Sequence, residues 1–288
     1  MNATVVDQAQ KLRELVGTKQ DVRVVSVSSG KGGVGKSTIS VNLAVALSRL
    51  GVRTLVVDAD FGLANVDVML GVTSRYNFSH FLQGEKELHE IIQQGHEGVR
   101  FISGGSGVSD LLDMDNAQLE SLLSGLSTLD APIDFIILDT GAGINENILR
   151  TIFTSSETIV VTTTEPTAIL DAYALVKTVT KRSSTHTIHV LLNKCENVKE
   201  ARRIMDGFID FVARHLGKKV NPLGIVMFDH SVPQSIKRQV PITVGSPNSE
   251  TSKEITQIAR AILDMKGGYK APESILSRVF GRMRSDKK

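Results

Sequence analysis

The feature that most constrains this chain is the run Ser28-Ser29-Gly30-Lys31-Gly32-Gly33-Val34-Gly35-Lys36-Ser37-Thr38. It follows an apolar stretch at 22–27 and leads straight into a helical pattern. Gly30, Gly35, Lys36 and Ser37 satisfy G-x-x-x-x-G-K-[ST] in the strand–loop–helix setting where that spacing has a physical meaning. Glycines let the backbone curl until its N–H groups point inward at phosphate oxygens. The start of the following helix adds unpaired N–H groups and its dipole. Lys36 is placed to reach the β- and γ-phosphates, and the Ser37 hydroxyl to ligate Mg²⁺. The whole stretch Gly30, Lys31, Gly32, Gly33, Val34, Gly35, Lys36, Ser37 and Thr38 is thus a candidate nucleotide cradle. Lys31 sits at its mouth, with a side chain directed away or across. It reads either as a group that reaches a second copy's nucleotide or as a solvated lysine.

The rest of the chain supplies the setting for such a loop. Short Val- and Ile-rich runs at 22–27, 54–57, 99–102, 135–138, 158–162, 188–192 and 223–226 alternate with helical patterns at 37–50, 168–180, 199–216 and 250–265. Several of these runs lack polar alternation, as strands buried on both faces do. The expectation is an α/β domain, a doubly wound and mostly parallel sheet of about seven or eight strands with helices on both faces. It spans 22–265. With 288 residues and 41% hydrophobic content, a core of that size is available. The single cysteine excludes an internal disulfide and any Cys-pair metal site within one chain. Cys195 reads as structural, and the seven histidines show no metal-ligand spacing.

Carboxylates at the carboxyl ends of parallel strands lie beside the ligand crevice. The run 54–57 ends in Asp58-Ala59-Asp60, whose two carboxylates share a face when extended. One can hold a Mg²⁺-bound water while the other orients the attacking water. The run 135–138 ends in Asp139-Thr140-Gly141-Ala142-Gly143, where Asp139 would stabilise the metal shell. Gly141 and Gly143 would let a backbone N–H approach the γ-phosphate. Asp67 reads as a residue that caps or pairs locally. Asn193 reads either as a base-edge partner or as a turn residue, and 228–241 as a cover over the base.

Two appendages flank the domain. Residues 1–21 hold Val5, Ala9, Leu12 and Val16 on one helical face, then a polar linker. Residues 266–288 hold a Gly- and Pro-containing linker, then Ile275, Leu276, Val279, Phe280 and Met283 on one helical face. That last segment has seven basic and two acidic residues, net +5, leaving −3 for the other 265. A basic tail on a mildly acidic body suggests an anionic membrane surface or a nucleic acid.

With Lys31, Lys36, Asp58, Asp60 and Asp139 in place, the chain resembles the deviant phosphate-loop ATPases of the MinD/ParA class. Thr164-Glu165-Pro166-Thr167 resembles the segment that lines their dimer interface. Within the class it resembles the FlhG (FleN/YlxH) branch, through Asp7-Gln8-Ala9-Gln10-Lys11-Leu12-Arg13. The resemblance implies ATP and Mg²⁺ as cofactors, with Ser37, Asp58 and Asp139 around the metal. It implies catalytic roles for Lys31, Lys36 and Asp60, and nucleotide contacts from Asp58, Asp139, Gly143, Glu165 and Asn193. ATP-dependent homodimerisation is implied, as is slow hydrolysis. Asp7, Gln8, Ala9, Leu12 and Arg13 would bind and stimulate the GTPase FlhF. The tail would be a membrane-targeting helix, giving a cytoplasmic protein held peripherally on the inner face of the cytoplasmic membrane. Flagellar C-ring proteins or a flagellar transcription regulator are further implied partners, and direct DNA binding is not expected. The alternatives are a MinD-type division-site ATPase and a ParA-type partition ATPase.

Overall fold

The computed structural model describes residues 22–60, 64–105 and 133–265. The expected partner-activating and membrane-targeting segments lie outside these residues. The described residues open on β1 (Arg23–Ser29), then the loop, then α1 (Lys36–Arg49) and β2 (Thr54–Ala59). Short helices α2 (Val66–Leu70), α3 (Phe78–Leu82) and α4 (Leu88–Ile91) lead to β3 (Gln93–Gln94) and β4 (Arg100–Ile102). There follow β5 (Phe135–Ala142), α5 (Glu146–Thr154), β6 (Glu157–Thr162), α6 (Pro166–Arg182), β7 (Thr187–Cys195), α7 (Val198–Leu216) and β8 (Asn221–Met227). The last elements are α8 (Ser231–Lys237), α9 (Ile242–Gly245) and α10 (Glu250–Asp264).

Among the described residues eight strands form one sheet in the order β3-β4-β2-β5-β1-β6-β7-β8. All pair in parallel except β3, which runs antiparallel to β4 at the edge. The expected doubly wound sheet is therefore present. Its apolar strand residues face both ways: Val25, Val27, Val56 and Ile137 pack with α1 and α10, while Val160, Val190 and Leu192 pack with α5, α6 and α7. Among the described residues no helix is long and apolar enough to cross a membrane.

The strand order places β1 at the centre, where the direction of winding reverses, so that a crevice opens at its carboxyl end. Register does the rest. Val27 and Asp58 both pair with Asp139, which puts the two aspartates side by side at the mouth of that crevice.

The opposite, amino-terminal end of the sheet is held by a buried polar cluster. Glu157 accepts hydrogen bonds from Arg23 at 2.8 and 2.9 Å and from His189 Nε2 at 2.9 Å. Arg23 also donates to the carbonyl of Ile262 in α10. Burial alone would raise the Glu157 carboxyl, but its bonds to His189 and Arg23 outweigh that and hold it at about 2. His186 Nε2 shares a bond with Thr158 at 2.7 Å, which in turn meets Ser26 at 2.7 Å. The histidines thus serve the sheet.

Glu157→Gln should cost about 3 kcal/mol in urea denaturation at pH 7, the lower end of what breaking a buried ion pair costs. The folded-state value lies below the ordinary one, so this stability is present above about pH 4.3 and is lost as pH falls toward the folded value. The gap between wild type and variant should close over that window.

Candidate functional site

The phosphate loop is built by glycines that do two different jobs. Gly33 and Gly35 adopt φ of 79° and 92°, a conformation that side chains disfavour, and Gly35 is the left-handed residue from which α1 starts. Gly30 is needed for space instead. A Cβ there would lie 2.3 Å from the carbonyl oxygen of Asp171, because the backbone of α6 passes directly against the loop. Gly32 and Gly33 face open space.

Lys36 opens α1 and is buried, as is Asp139. Its Nζ donates to Asp139 Oδ1 at 3.0 Å and to Ser37 Oγ at 3.2 Å. Ser40, one turn along the helix, donates to the same carboxylate oxygen at 2.8 Å. Asp58, in the neighbouring strand, uses both oxygens on backbone N–H groups: Asp60 on one at 3.1 Å, Asn65 and Val66 on the other at 2.7 and 3.0 Å. It therefore ties down the return of the chain into α2. Burial and then the charge of Asp139 push its carboxyl well up, against those three hydrogen bonds.

A cavity of about 490 Å³ opens above this pair. Its walls include Gly32, Gly33, Gly35, Lys36, Ser37 and Thr38 of the loop, Asp60, Asn65 and Met69, and Asn193 and Lys194 of β7. Phe228, Asp229, Val232, Pro233 and Ile236 line the far side, from the segment expected to cover a base. The volume suits a nucleotide.

The donor set also suits a hard cation. Two buried carboxylates stand against one buried ammonium, and the Ser37 hydroxyl and Asp60 lie at the cavity wall above them. Ser37, with Asp58 and Asp139 beneath, are the residues that would hold Mg²⁺, which neutralises phosphate charge when bound.

The remaining expected site residues take other positions. Lys31 turns out of its own loop: its Nζ meets Glu165 at 2.8 Å and Thr167 at 3.0 Å, at the start of α6. Asn193 donates its amide to the Val34 carbonyl at 2.8 Å, so it braces the loop. The Gly143 N–H donates to the Ser29 carbonyl at 2.9 Å. Asp67 lies inside α2 and pairs locally, accepting from Val68 N–H at 2.7 Å and from Ser103 Oγ at 3.2 Å. Cys195 is buried, and burial pushes its thiol up to about 11, which fits a structural role. No group of His, Cys, Asp and Glu able to hold a metal by itself occurs among the described residues. Sequence reasoning missed Ser40, Asp171 and Lys194. Of these only Lys194 carried a signal, standing next to Asn193 at a strand end.

The family model described as ParA, NUBPL iron-transfer P-loop NTPase matches residues 21–263. The antiactivator FleN of Pseudomonas aeruginosa is 32% identical over 86% of this chain and 88% of its own length. The flagellum site-determining protein YlxH of Helicobacter pylori is 32% identical over 92% of this chain and 90% of its own. Among solved structures, the septum site-determining protein MinD of Pyrococcus horikoshii, complexed with Mg-ADP, superposes with a TM-score of 0.71. It is 25% identical, over 87% of this chain and 99% of that one.

Gly30→Ala should separate the loop from α6, because the contact it creates is with backbone and cannot yield. The expected outcome is at least a tenfold loss of ADP affinity by calorimetric titration, about 1.4 kcal/mol or more, with a lowered thermal midpoint.

Proposed function

Since the chain belongs to the FlhG (FleN/YlxH) branch of the MinD/ParA family of P-loop ATPases, we propose that it is an ATP-driven switch regulating flagellar number or placement. ATP with Mg²⁺ brings two copies together, hydrolysis is slow, and the dimer returns to monomers when phosphate leaves. The observation that carries this reading is Lys31. Its ammonium is directed out of its own loop onto the rim formed by Glu165 and Thr167. A second copy docking on that rim would meet it, and an exposed ion pair is cheap to exchange for a phosphate.

Asp60 fits the role of orienting the attacking water. It lies at the cavity wall, and a Cβ on Gly141 would sit 3.5 Å from its carboxylate. Asp58 and Asp139 belong to the metal's surroundings, and Lys36 to the β- and γ-phosphates. In this reading Gly143 exchanges its present contact for a nucleotide one, while Asn193, at the cavity wall, keeps its amide N–H on the loop and offers its remaining polar capacity to the nucleotide.

The two appendages supply the outputs. Asp7, Gln8, Ala9, Leu12 and Arg13 form the segment that engages and stimulates the GTPase FlhF. Ile275, Leu276, Val279, Phe280 and Met283 are the apolar residues that anchor the dimer on anionic membrane. One tail binds weakly and two bind far better together. C-ring proteins or a flagellar transcription regulator complete the set of partners. The FleN and YlxH likeness over most of the chain favours this flagellar role above a division-site or partition role.

Asp60→Ala should accumulate as a dimer at saturating ATP in sedimentation, with phosphate release reduced at least tenfold. A monomer under those conditions would remove Asp60 from the catalytic role. Deleting residues 1–17 should leave the chain's own ATPase rate within twofold and abolish stimulation of FlhF. Undiminished GTP turnover with the truncated chain would overturn the N-terminal assignment.

A further inference from the structure

Two adjacent side chains at the end of β7 hold the phosphate loop by its carbonyls. Asn193 Nδ2 donates to the Val34 carbonyl at 2.8 Å, and Lys194 Nζ donates to the Gly33 carbonyl at 2.7 Å. In a trans peptide the C=O and N–H point to opposite sides. Holding the oxygens of Gly33 and Val34 on these two side chains therefore turns the N–H groups of Val34 and Gly35 the other way, where an anion can take them. Gly35 leaves no slack in this arrangement: a Cβ there would lie 2.3 Å from Asn193 Nδ2.

Lys194 is held in an unusual conformation to do this. Its φ is 57°, the left-handed region that a lysine rarely adopts. The pairing of β7 with β8 breaks at the same place, shifting register between Leu192 and Cys195. Its neighbours Asn193 and Cys195 are buried, whereas Lys194 is exposed and reaches back over the loop. Strain of this kind persists only where the surroundings over-determine it.

We propose that Lys194 is a positioning residue for the phosphate loop. Together with Asn193 it presets the inward N–H groups, so that a nucleotide meets a cradle already formed. This rests on the reading of the loop as the ATP site. Lys194 acts through the loop backbone, so its effect is common to every ligand that carries the phosphates bound there.

The test uses the full chain with Mg²⁺ and fluorescent ADP and ATP analogues, together with thermal unfolding without nucleotide. Lys194→Met removes the donor at similar volume. Lys194→Gly removes it and also relieves the left-handed strain. Lys194→Arg keeps a donor of similar reach. Met and Gly should weaken ADP and ATP equally, by about tenfold or more, while Arg stays within about threefold. Lys194→Gly should unfold no lower than wild type, a separation of affinity from stability that a merely structural residue would not give. Wild-type affinity in Lys194→Gly would overturn the proposal. So would a loss confined to ATP, which would make Lys194 a direct ligand of the terminal phosphate. Wild type binding neither nucleotide would overturn the ATP-site reading itself, and this proposal with it.

Discussion

The contact between Lys36 and Asp139 ties together the parts of this molecule that have to agree. Both groups are buried, at 7% and 1% exposure. Either one alone would carry a desolvation penalty of several kcal/mol. Each is tolerable only because the other is there. The pair fixes the start of α1 against the end of β5, and Ser40 repeats the contact one turn along. The loop before Lys36 is then left no freedom at its far end. At its near end Gly30 is closed off by the backbone of α6. A cradle clamped at both ends, on the central strand of the sheet, is what the remaining elements are arranged around.

The large elements were legible because their signals are local. Continuous Val and Ile runs gave the strands, helical spacing gave α1, α6, α7 and α10, and the glycine-lysine-serine run gave the loop with the start of its helix. Where the reading fell short, the cause was contact between residues far apart in the chain. Ser40 looks like any helix serine until Asp139 is brought beside it. Nothing near Gly30 says that α6 will pass at van der Waals distance. Asp58 was placed correctly at a strand end, but its use as an anchor for the turn at 65–66 depends on the path the chain takes back. The edge strand β3 is two glutamines long and has no pattern to read. By contrast α5 was missed although its signal was present: Asn145 caps it through Ile148 N–H, and Ile148, Leu149 and Ile152 form its buried face.

The buried histidines show how little a residue type says without its neighbours. His189 and His186 sit in the sheet's polar cluster, bonded to Glu157 and Thr158. Their spacing offered no function, and they have none at the cavity. Their work is to satisfy polar groups at the amino-terminal end of the strands, where a doubly wound sheet has no ligand to do so.

That same cluster has a topological consequence. Arg23 is the first residue of β1, and its guanidinium reaches the carbonyl of Ile262, near the end of α10. The first and last described elements therefore meet, on the side away from the cradle. The described core is close to a closed loop of chain. A peptide fused before β1 or after α10 leaves from the same spot, so such fusions are interchangeable in geometry. Joining the two ends by a short linker and reopening the chain at an exposed turn should leave the cradle's architecture untouched.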